Sequence, residues 1–392
     1  MDIDFSKYIG VYGTGYVIKK ATLSKNELQV ETKIEGNQLI RPTEVKMLEN
    51  TIFDIASLTK SFTAIIIYKS IEEGLINLDD KVKYIDNRFV NLDDVRIKDL
   101  LAHQVELWTN GYLGSANTRE EFLSMMYNIQ IKSRNKIYVD AHYIVLSLLL
   151  EKIYSCPFHQ IVDDIIIKKV GMDDTSFKPK DLSRVASTNY EIVNGELIDS
   201  IHSGIIHDNK ARRASELGMN VGHAGVFSTA ADMLKLLVCF IDDKYTLLSK
   251  KSIETMLTRE DYSDFIKNIL NTYATENSIE MPSVLYGINE MYEYITQRCN
   301  DKKDLLSKIP FCYNNFGTRY KQPIKEKSEL SERVSDNSII FSGFTGPTFM
   351  IDFDRKMIII VMTNGPHCIV RNSELKQLPK KLIREIYDGE SF

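Results

Sequence analysis

Short apolar runs near both ends of the chain predict the strands of a sheet. Between residues 8 and 33, short apolar runs separated by turns at Gly13, Gly15 and Lys25-Asn26 predict two or three antiparallel strands. Near the carboxyl end, apolar runs predict strands over Ser338–Phe341, Thr348–Ile351 and Met357–Thr363.

Longer apolar runs in the middle of the chain predict helices. One helix is predicted over Ser57–Glu73, with Gly74 in the usual position just past its end. From Leu75 to about Leu182 the signals are mostly helical, over Ile97–His103, Arg119–Tyr127, Ala141–Tyr154 and Phe158–Val170. Later helices are predicted over Ala230–Phe240, capped by Thr229 with Asp232, and over Ser373–Tyr387.

The segment 251–340 carries a weaker pattern. It is rich in tyrosine, and its polar stretch Lys321–Asn337 predicts a loop. A variable surface insertion and a substrate-gating lid both fit this composition. The chain shows no internal repeat.

Composition narrows the class of protein. A chain of 392 residues with 43% hydrophobic content can bury a large core, in two or three domains or in one two-part enzyme. A net charge of −5 without a basic stripe argues against a nucleic-acid partner. The five cysteines are scattered without metal-ligand spacing, which predicts reduced residues and no metal site.

The amino-terminal sequence MDIDFSKYIG has no apolar core of the length that a secretory signal needs. The longest apolar helical stretch, Tyr143 to Ile153, is too short to cross a bilayer. These features predict a cytoplasmic chain without a membrane span.

The segment TIFDIASLTKSFT, residues 51–63, carries the strongest chemical signal. Ser57 and Lys60 are three residues apart on a predicted helix, so they share a face near the helix amino end. The same spacing at Ser133/Lys136 and Ser373/Lys376 has no such context, and a capping serine with a solvated lysine is the alternative. Because the surrounding helix is apolar, we expect Lys60 to be buried, with a lowered pKa that suits a base.

Several segments together resemble the serine β-lactamase and penicillin-binding superfamily, in its class C-like branch of β-lactamases, D-alanyl-D-alanine peptidases and esterases. The matching segments run from about Phe53 to Asn364. They are FDIASLTKSFTA around Ser57, Leu100–His103, Tyr138-Val139-Asp140 with Tyr143, Gly204–Asp208, Gly222–Ala230, Gly343–Gly346 and Phe349–Asp352.

This resemblance implies a fold of the α/β plus all-α class, with an antiparallel sheet flanked by helices and an inserted helical domain. Residues 1–75 and 200–392 would form the α/β domain, which carries the nucleophile and the catalytic strand. Residues 76–199 would form the helical domain, which carries Tyr138.

The resemblance also implies a catalytic site. Ser57 would be the nucleophile, Lys60 its proton acceptor or relay, and Tyr138 the group that faces the serine. The backbone N–H groups of Ser57 and Phe344 would form an oxyanion hole, in which each donor contributes on the order of 3 kcal/mol. Asp140, Phe341, Ser342 and Gly343 would line the substrate-binding part.

Three departures from the family pattern bear on activity. Asp140 stands where the family usually has asparagine, and a carboxylate there favours protonated Lys60 and shifts the base role to Tyr138. Phe341-Ser342-Gly343 replaces a motif that begins with lysine or histidine, so the cation that holds a substrate carboxylate is missing. Gln104-Val105-Glu106 replaces Thr-Ser-Gly at one edge of the site.

Three hypotheses remain open. The first is a serine hydrolase acting on an uncharged small-molecule or peptide-like ester or amide, with acyl transfer as a variant and without metal or cofactor. The second is a β-lactamase or D-alanyl-D-alanine carboxypeptidase, in which Arg319 or Arg371 replaces the missing cation. The third is an inactive binding protein of the same fold. Structural hydrogen bonds are expected of His103, His207 and His223, and the sequence predicts no oligomeric state.

Overall fold

The computed structural model describes residues 13–41, 43–188, 191–193, 196–198, 204–282, 287–365 and 378–389. The strands are β1 (Gly15–Ser24), β2 (Glu27–Leu39), β3 (Val45–Lys46), β4 (Phe53–Asp54), β5 (Glu106–Trp108), β6 (Gln130–Ser133), β7 (Glu191–Val193), β8 (Glu196–Ile198), β9 (Phe227–Ser228), β10 (Ser338–Ser342), β11 (Thr348–Asp352) and β12 (Met357–Thr363). The first α-helices are α1 (Thr59–Glu72), α2 (Val82–Ile85), α3 (Ile97–Leu101), α4 (Arg119–Tyr127), α5 (Ala141–Tyr154), α6 (Phe158–Val162) and α7 (Lys168–Val170). They are followed by α8 (Asn209–Glu216), α9 (Ala230–Val238), α10 (Lys250–Met256), α11 (Ser263–Glu276), α12 (Ile288–Thr296), α13 (Lys302–Lys308) and α14 (Leu378–Gly389).

A six-stranded antiparallel sheet joins the two ends of the chain in the order β10-β11-β12-β1-β2-β3. Lys25 and Asn26 connect β1 to β2 with positive φ angles of 50° and 65°, as a tight two-residue hairpin requires. Strand β1 pairs on its other side with β12, with Tyr16 opposite Thr363. The predicted antiparallel sheet is therefore confirmed, while residues 8–12 of its first predicted strand lie outside the described part.

Each face of the sheet packs on a different apolar cluster because side chains alternate along a strand. In β12, Ile358 and Ile360 join the main core, in which α1, α5 and α9 lie. Ile359 and Val361 point to the opposite face and pack against α14. The sheet thus lies between helices on both faces, as the fold prediction requires.

The helices of the middle region follow the predicted pattern closely. Helices α4 and α5 have the predicted bounds, and the predicted helix 158–170 is continuous but contains a π-helical stretch, Asp163–Ile167. Helix α3 ends at Leu101 and not at the predicted His103, because His103 adopts a left-handed φ of 54°. The part of the predicted last helix at residues 373–377 lies outside the described residues.

The segment 251–340 contains the helices α10 to α13 before the catalytic-strand candidate β10. Tyr262, Tyr273 and Tyr292 of this segment pack with Leu270 and Ile295 in a small apolar core of their own. The stretch 321–337 is irregular apart from a short 3₁₀ turn, Lys325–Lys327, in line with the predicted loop. Among the described helices, none combines the length and the apolar character that a membrane crossing needs.

Candidate active site

A strained turn leads from β4 into the serine. Ala56 has a φ of 43°, an unfavourable value for a residue with a side chain. The buried Asp54 carboxylate holds this turn, because it accepts hydrogen bonds from the N–H groups of Ala56 and His207, both at 2.8 Å. Burial outweighs these bonds and raises the pKa of Asp54 to about 6. Ser57 follows within a 3₁₀ turn, Ala56–Leu58, which continues into α1.

Lys60 lies in the first turn of α1 and its side chain is fully buried. Its Nζ donates to Ser57 Oγ at 3.1 Å, to Asp140 Oδ1 at 2.9 Å and to the carbonyl oxygen of His223 at 3.1 Å. An ammonium group has three N–H donors, and each of them has an acceptor here. The geometry therefore fits a protonated lysine.

The protonation of Lys60 corrects one expectation from the sequence. Burial does oppose the charge, but the adjacent Asp140 carboxylate outweighs it, so the pKa of Lys60 is raised and not lowered. Burial likewise opposes the charge on Asp140, yet attraction to Lys60 holds its pKa well below the usual range. The effect expected of Asp140 on Lys60 is thus confirmed, and Lys60 is a cation at neutral pH.

Tyr138 approaches Ser57 from the segment that precedes α5. Its hydroxyl lies 2.9 Å from Ser57 Oγ, and its ring centre lies 4.8 Å from Lys60 Nζ. Behind it, the rings of His103 and Tyr313 lie at centroid distances of 4.5 Å and 5.8 Å. Ser57 Oγ is therefore held between Lys60 and Tyr138, two groups that the sequence places 78 residues apart.

A neutral histidine pair supports the Tyr138 ring. His142 Nε2 lies 2.7 Å from the carbonyl oxygen of Val105 and must carry a proton to donate to it. His142 Nδ1 is then an acceptor, which assigns the proton of the 2.8 Å contact to His103 Nδ1, although the Val139 N–H also lies 3.4 Å from that nitrogen. Burial lowers the pKa of His142 to about 4 and that of His103 well below its usual value. These contacts agree with the hydrogen-bonding role expected of His103.

Lys210 is a charged neighbour of the site that the sequence reasoning missed. Its Nζ lies 3.0 Å from Asp140 Oδ2 and 3.2 Å from Asp208 Oδ2. The other oxygen of Asp208 lies 2.9 Å from His223 Nε2. A signal was present, because Asp208 closes one of the family-like segments and Lys210 follows it by two residues.

The same carboxylates raise the question of a metal site. One ligand atom each from Asp140, Asp208 and His223 lie within 4.8 Å of one another. Lys60 and Lys210, however, pair with these carboxylates and already supply positive charge between them. The donor set therefore does not fit an additional divalent cation.

The strand motif at 341–344 lies alongside the serine turn. A Cβ atom added to Gly343 would lie 2.5 Å from the carbonyl oxygen of Ile55, so glycine permits this close approach. Gly343 N–H donates to Pro347 at 2.7 Å in a tight turn, and Thr345 Oγ1 donates to the Asp54 carbonyl at 2.6 Å. These contacts bring the backbone at Phe344 next to the turn that carries Ser57.

The side chains of this motif have different surroundings. Phe341 is 1% exposed and lies in the main core against Phe349, so its side chain offers no charge to the site. Ser342 is half-buried, and its Oγ has no hydrogen-bond partner among the described residues. Phe344 is 63% exposed, and its ring stacks on His207 at a centroid distance of 5.4 Å.

Arg319 and Arg371 are the two candidate replacements for the missing cation. Arg319 is largely buried and forms an ion pair with Glu329 at 2.8 Å, and Glu329 also pairs with Lys380. Arg319 is thus held by a carboxylate that it shares with Lys380. Arg371 lies outside the described residues.

The departure at residues 104–106 ties the edge of the site to the tyrosine-rich segment. The Gln104 side chain donates to the Ala102 carbonyl at 2.6 Å and to Tyr262 OH at 2.9 Å. Glu106 instead forms an ion pair with Lys132. Segment 251–340 therefore lies directly beside the residues that follow α3.

Comparisons with known proteins agree with this architecture. The family model described as Beta-lactamase matches residues 33–378. An N-acetylmuramyl-L-alanine amidase of Bacillus subtilis (strain 168) is 27% identical over 254 residues, which is 57% of this chain and 56% of the relative. A putative D-alanyl-D-alanine carboxypeptidase of Salmonella gallinarum is 27% identical over 237 residues, or 52% of this chain and 54% of the relative.

The chain thus spans about half the length of the curated relatives it matches. Among solved structures, a mutant of the simvastatin synthase LovD from Aspergillus terreus superposes with a TM-score of 0.66 at 16% identity. That match covers 98% of this chain and 94% of the other. At this identity the likeness shows a shared fold.

Proposed function

The chain belongs to the beta-lactamase family, and from this premise we propose that it is a serine hydrolase that forms an acyl-enzyme at Ser57. One observation carries the proposal: Ser57 Oγ lies 3.1 Å from Lys60 Nζ and 2.9 Å from the Tyr138 hydroxyl. A serine hydroxyl needs a neighbouring base to become a nucleophile, and both groups lie within proton-transfer distance.

Because Lys60 is protonated, the proposal assigns the base to Tyr138 in its ionised form. As Ser57 Oγ attacks the substrate carbonyl carbon, its proton passes to the Tyr138 oxygen, and that proton then goes to the leaving alcohol or amine. Water attacks the resulting ester by the same route and releases the acid and free Ser57. The Lys60 charge, 4.8 Å from the ring centre, is placed to attract negative charge on the Tyr138 oxygen.

The backbone N–H groups of Ser57 and Phe344 are the proposed oxyanion hole. Support comes from the close approach of Gly343 to the Ile55 carbonyl and from the tie between Thr345 and Asp54. Main-chain donors held in this way are already oriented before the oxyanion develops, which is the condition for strong electrostatic stabilisation.

The proposed substrate is a small ester or amide without a carboxylate at the position that a motif lysine or histidine would bind. The residue at that position is Phe341, whose side chain is buried in the core. Asp140, Ser342 and Gly343 are the proposed substrate-facing residues. An alcohol or amine that replaces water in the second step would make the same site an acyltransferase.

The second candidate is a D-alanyl-D-alanine carboxypeptidase or β-lactamase. It is favoured by the names of the two relatives, a putative D-alanyl-D-alanine carboxypeptidase and an N-acetylmuramyl-L-alanine amidase. It requires a cation for the substrate carboxylate, and the described candidate, Arg319, is paired with Glu329. A binding protein without turnover is the third candidate.

We also propose the two-domain division, with residues 1–75 and 200–392 in one domain and 76–199 in the other. Its support is that Ser57 follows β4, which pairs with β9, whereas Tyr138 directly precedes the buried helix α5. The site would then lie between the two parts.

A matched pair of esters tests the substrate class. The p-nitrophenyl esters of a neutral acid and of the same acid with a second, free carboxylate would be compared by burst and steady-state kinetics, alongside penicillin acylation by intact-protein mass. The proposal expects turnover of the neutral ester in wild type and not in Ser57→Ala, with little reaction of the charged ester or penicillin. Preferential reaction with penicillin would instead support the second candidate, and no acylation in folded protein would support the third.

A further inference from the structure

A closed loop of ion pairs and hydrogen bonds lies behind Ser57. It passes from Lys60 to Asp140, then to Lys210 and Asp208, and ends at His223. The backbone carbonyl of His223 accepts a hydrogen bond from Lys60 at 3.1 Å and closes the loop. These five residues are called the charge chain below.

The start of α8 fixes Lys210 in the charge chain. Asp208 caps this helix and accepts hydrogen bonds at 2.9 Å from the N–H groups of Lys210 and Ala211. Burial opposes the charge on Lys210, but Asp140 and Asp208 outweigh it and raise its pKa. Each oxygen of Asp140 is thus paired with a different cation, Oδ1 with Lys60 and Oδ2 with Lys210.

The proposed function requires an ionised Tyr138 to accept the Ser57 proton, and the negative charge of Asp140 opposes that ionisation. If the Asp140 carboxylate contacted only Lys60, it would stabilise the protonated form of Lys60 and oppose negative charge on the Tyr138 oxygen. Lys210 counters this effect because its positive charge is held by the same carboxylate. Apart from the histidine, the charge chain has two cations and two anions, which sum to zero.

We propose that Lys210 is a positioning residue that, by sharing the Asp140 carboxylate, sets the pH at which Ser57 becomes nucleophilic. Asp140 and Lys210 act as one unit in place of the neutral side chain that the resemblance leads us to expect at 140. This inference depends on the proposed acyl-enzyme chemistry at Ser57 and specifies how that chemistry depends on pH.

The remaining titratable surroundings of Lys60 do not supply this compensation. The nearest rings are tyrosine phenols and two neutral histidine imidazoles, and the arginine beyond them is paired with a glutamate. These groups are Tyr138 and Tyr143 at 4.8 Å and 5.8 Å from Lys60 Nζ, His103 with His142, Tyr313, and Arg319 with Glu329.

The test measures the rate of Ser57 labelling by a fluorophosphonate as a function of pH, followed by intact-protein mass. Lys210→Gln removes a positive charge. The acidic limb of its profile, where the labelling rate rises with pH, is therefore expected to move up by about one pH unit. At a fixed pH on that limb, labelling slows about tenfold. Asp140→Asn should move the acidic limb to lower pH. The double variant, which combines Asp140→Asn with Lys210→Gln, removes one charge of each sign, so its acidic limb should lie close to that of wild type.

Two controls separate charge from folding. Lys210→Arg keeps the positive charge and should keep the wild-type limb. Lys235→Gln removes a lysine that pairs with Asp232 at 2.9 Å on α9 and should also leave the limb unchanged. Thermal unfolding of each variant shows whether it is folded under the assay conditions.

The outcomes separate this inference from the proposed function. A wild-type protein that resists labelling would overturn the proposed function itself. Labelling with the same acidic limb in wild type and Lys210→Gln would overturn the role of Lys210 alone. If Lys210→Gln alone does not fold, the same effect is measured by comparing the double variant with Asp140→Asn. The acidic limb of the double variant must then lie at higher pH, and equal limbs in these two proteins would overturn the proposal.

Discussion

The hydroxyl groups of Ser57 and Tyr138 lie 2.9 Å apart although 81 residues separate them in the chain. Ser57 emerges from the turn after β4, and Tyr138 from the segment before α5. The buried ammonium of Lys60 contacts Ser57 and lies close to the Tyr138 ring. This arrangement places the proposed nucleophile, a cation and the proposed proton acceptor in one site, and each can be tested by substitution.

Removal of the Tyr138 hydroxyl should impair chemistry more than folding. Tyr138→Phe is expected to lower the labelling or acylation rate by about 10²–10⁴-fold, because the proton acceptor is lost. The free energy of unfolding should change by about 1 kcal/mol or less, the contribution of one hydrogen bond. Tyr313→Phe, 5.8 Å away between ring centres, is the control and should label at nearly the wild-type rate. A Tyr138→Phe protein as reactive as wild type would remove Tyr138 from the mechanism.

Gly343→Ala tests the close approach of the strand motif to the serine turn. The new Cβ would lie 2.5 Å from the Ile55 carbonyl oxygen, so the backbone next to Phe344 must move. Acylation is expected to slow by about 10²-fold, because an oxyanion donor loses its position. Gly287→Ala, where the nearest atom is 3.4 Å away on the flexible Glu290 side chain, provides the matched control. Equal acylation rates in both variants would contradict the proposed oxyanion hole.

Asp54 should make the stability of the protein depend on pH. Burial raises its pKa from 3.8 to about 6, so its stabilising contribution is complete below the unfolded value and is lost as pH rises through about 6. Asp54→Asn lacks this dependence. The destabilisation that it causes should therefore be larger at pH 4.5 than at pH 7.5, by about 2 kcal/mol.

Urea unfolding of wild type and Asp54→Asn at these two pH values measures the difference directly. Other carboxylates titrate in both proteins and largely cancel in the comparison. A difference in the free energy of unfolding between the two proteins that is the same at both pH values, or larger at pH 7.5, would show that Asp54 does not titrate as its burial indicates.

Phe341→Lys tests whether the missing cation can simply be restored. Phe341 is 1% exposed and packs near Phe349, so the new ammonium would lack a partner in the main core. The variant is expected to lose more than about 3 kcal/mol of stability without gaining penicillin reactivity. Phe341→Leu keeps an apolar side chain and should retain most of the stability. A stable Phe341→Lys protein that reacts with penicillin would favour the carboxypeptidase and β-lactamase alternative.

The helices and strands were predictable where one local pattern decided them. The runs at 119–127 and 141–154 become helices with the predicted bounds, and 357–363 becomes a strand. The apolar pattern extends the predicted helix through His103, because nothing in the local sequence shows that this residue adopts a left-handed backbone. In the segment 251–340, the buried sides of the helices are partly tyrosine, so the pattern did not separate them from a surface loop.

The site shows a similar division between local and long-range information. The Ser57–Lys60 contact follows from helical spacing, and the resemblance led to Tyr138. The pKa of Lys60 could not be inferred from its own helix, because Asp140, 80 residues away, reverses the effect of burial. Lys210 was missed for the same reason: its relation to Asp140 exists only once α8 is folded against the site.

The most direct test of the central claim is the position of a covalent adduct. Wild type, Ser57→Ala and Ser61→Ala would be treated with a fluorophosphonate, weighed intact and mapped by peptide fragmentation. Ser61 lies next to Lys60 and is buried, so its variant controls for a nearby serine change. The account predicts one adduct at Ser57 in wild type and Ser61→Ala, and none in Ser57→Ala. An adduct of equal yield in Ser57→Ala, or none in folded wild type, would contradict it.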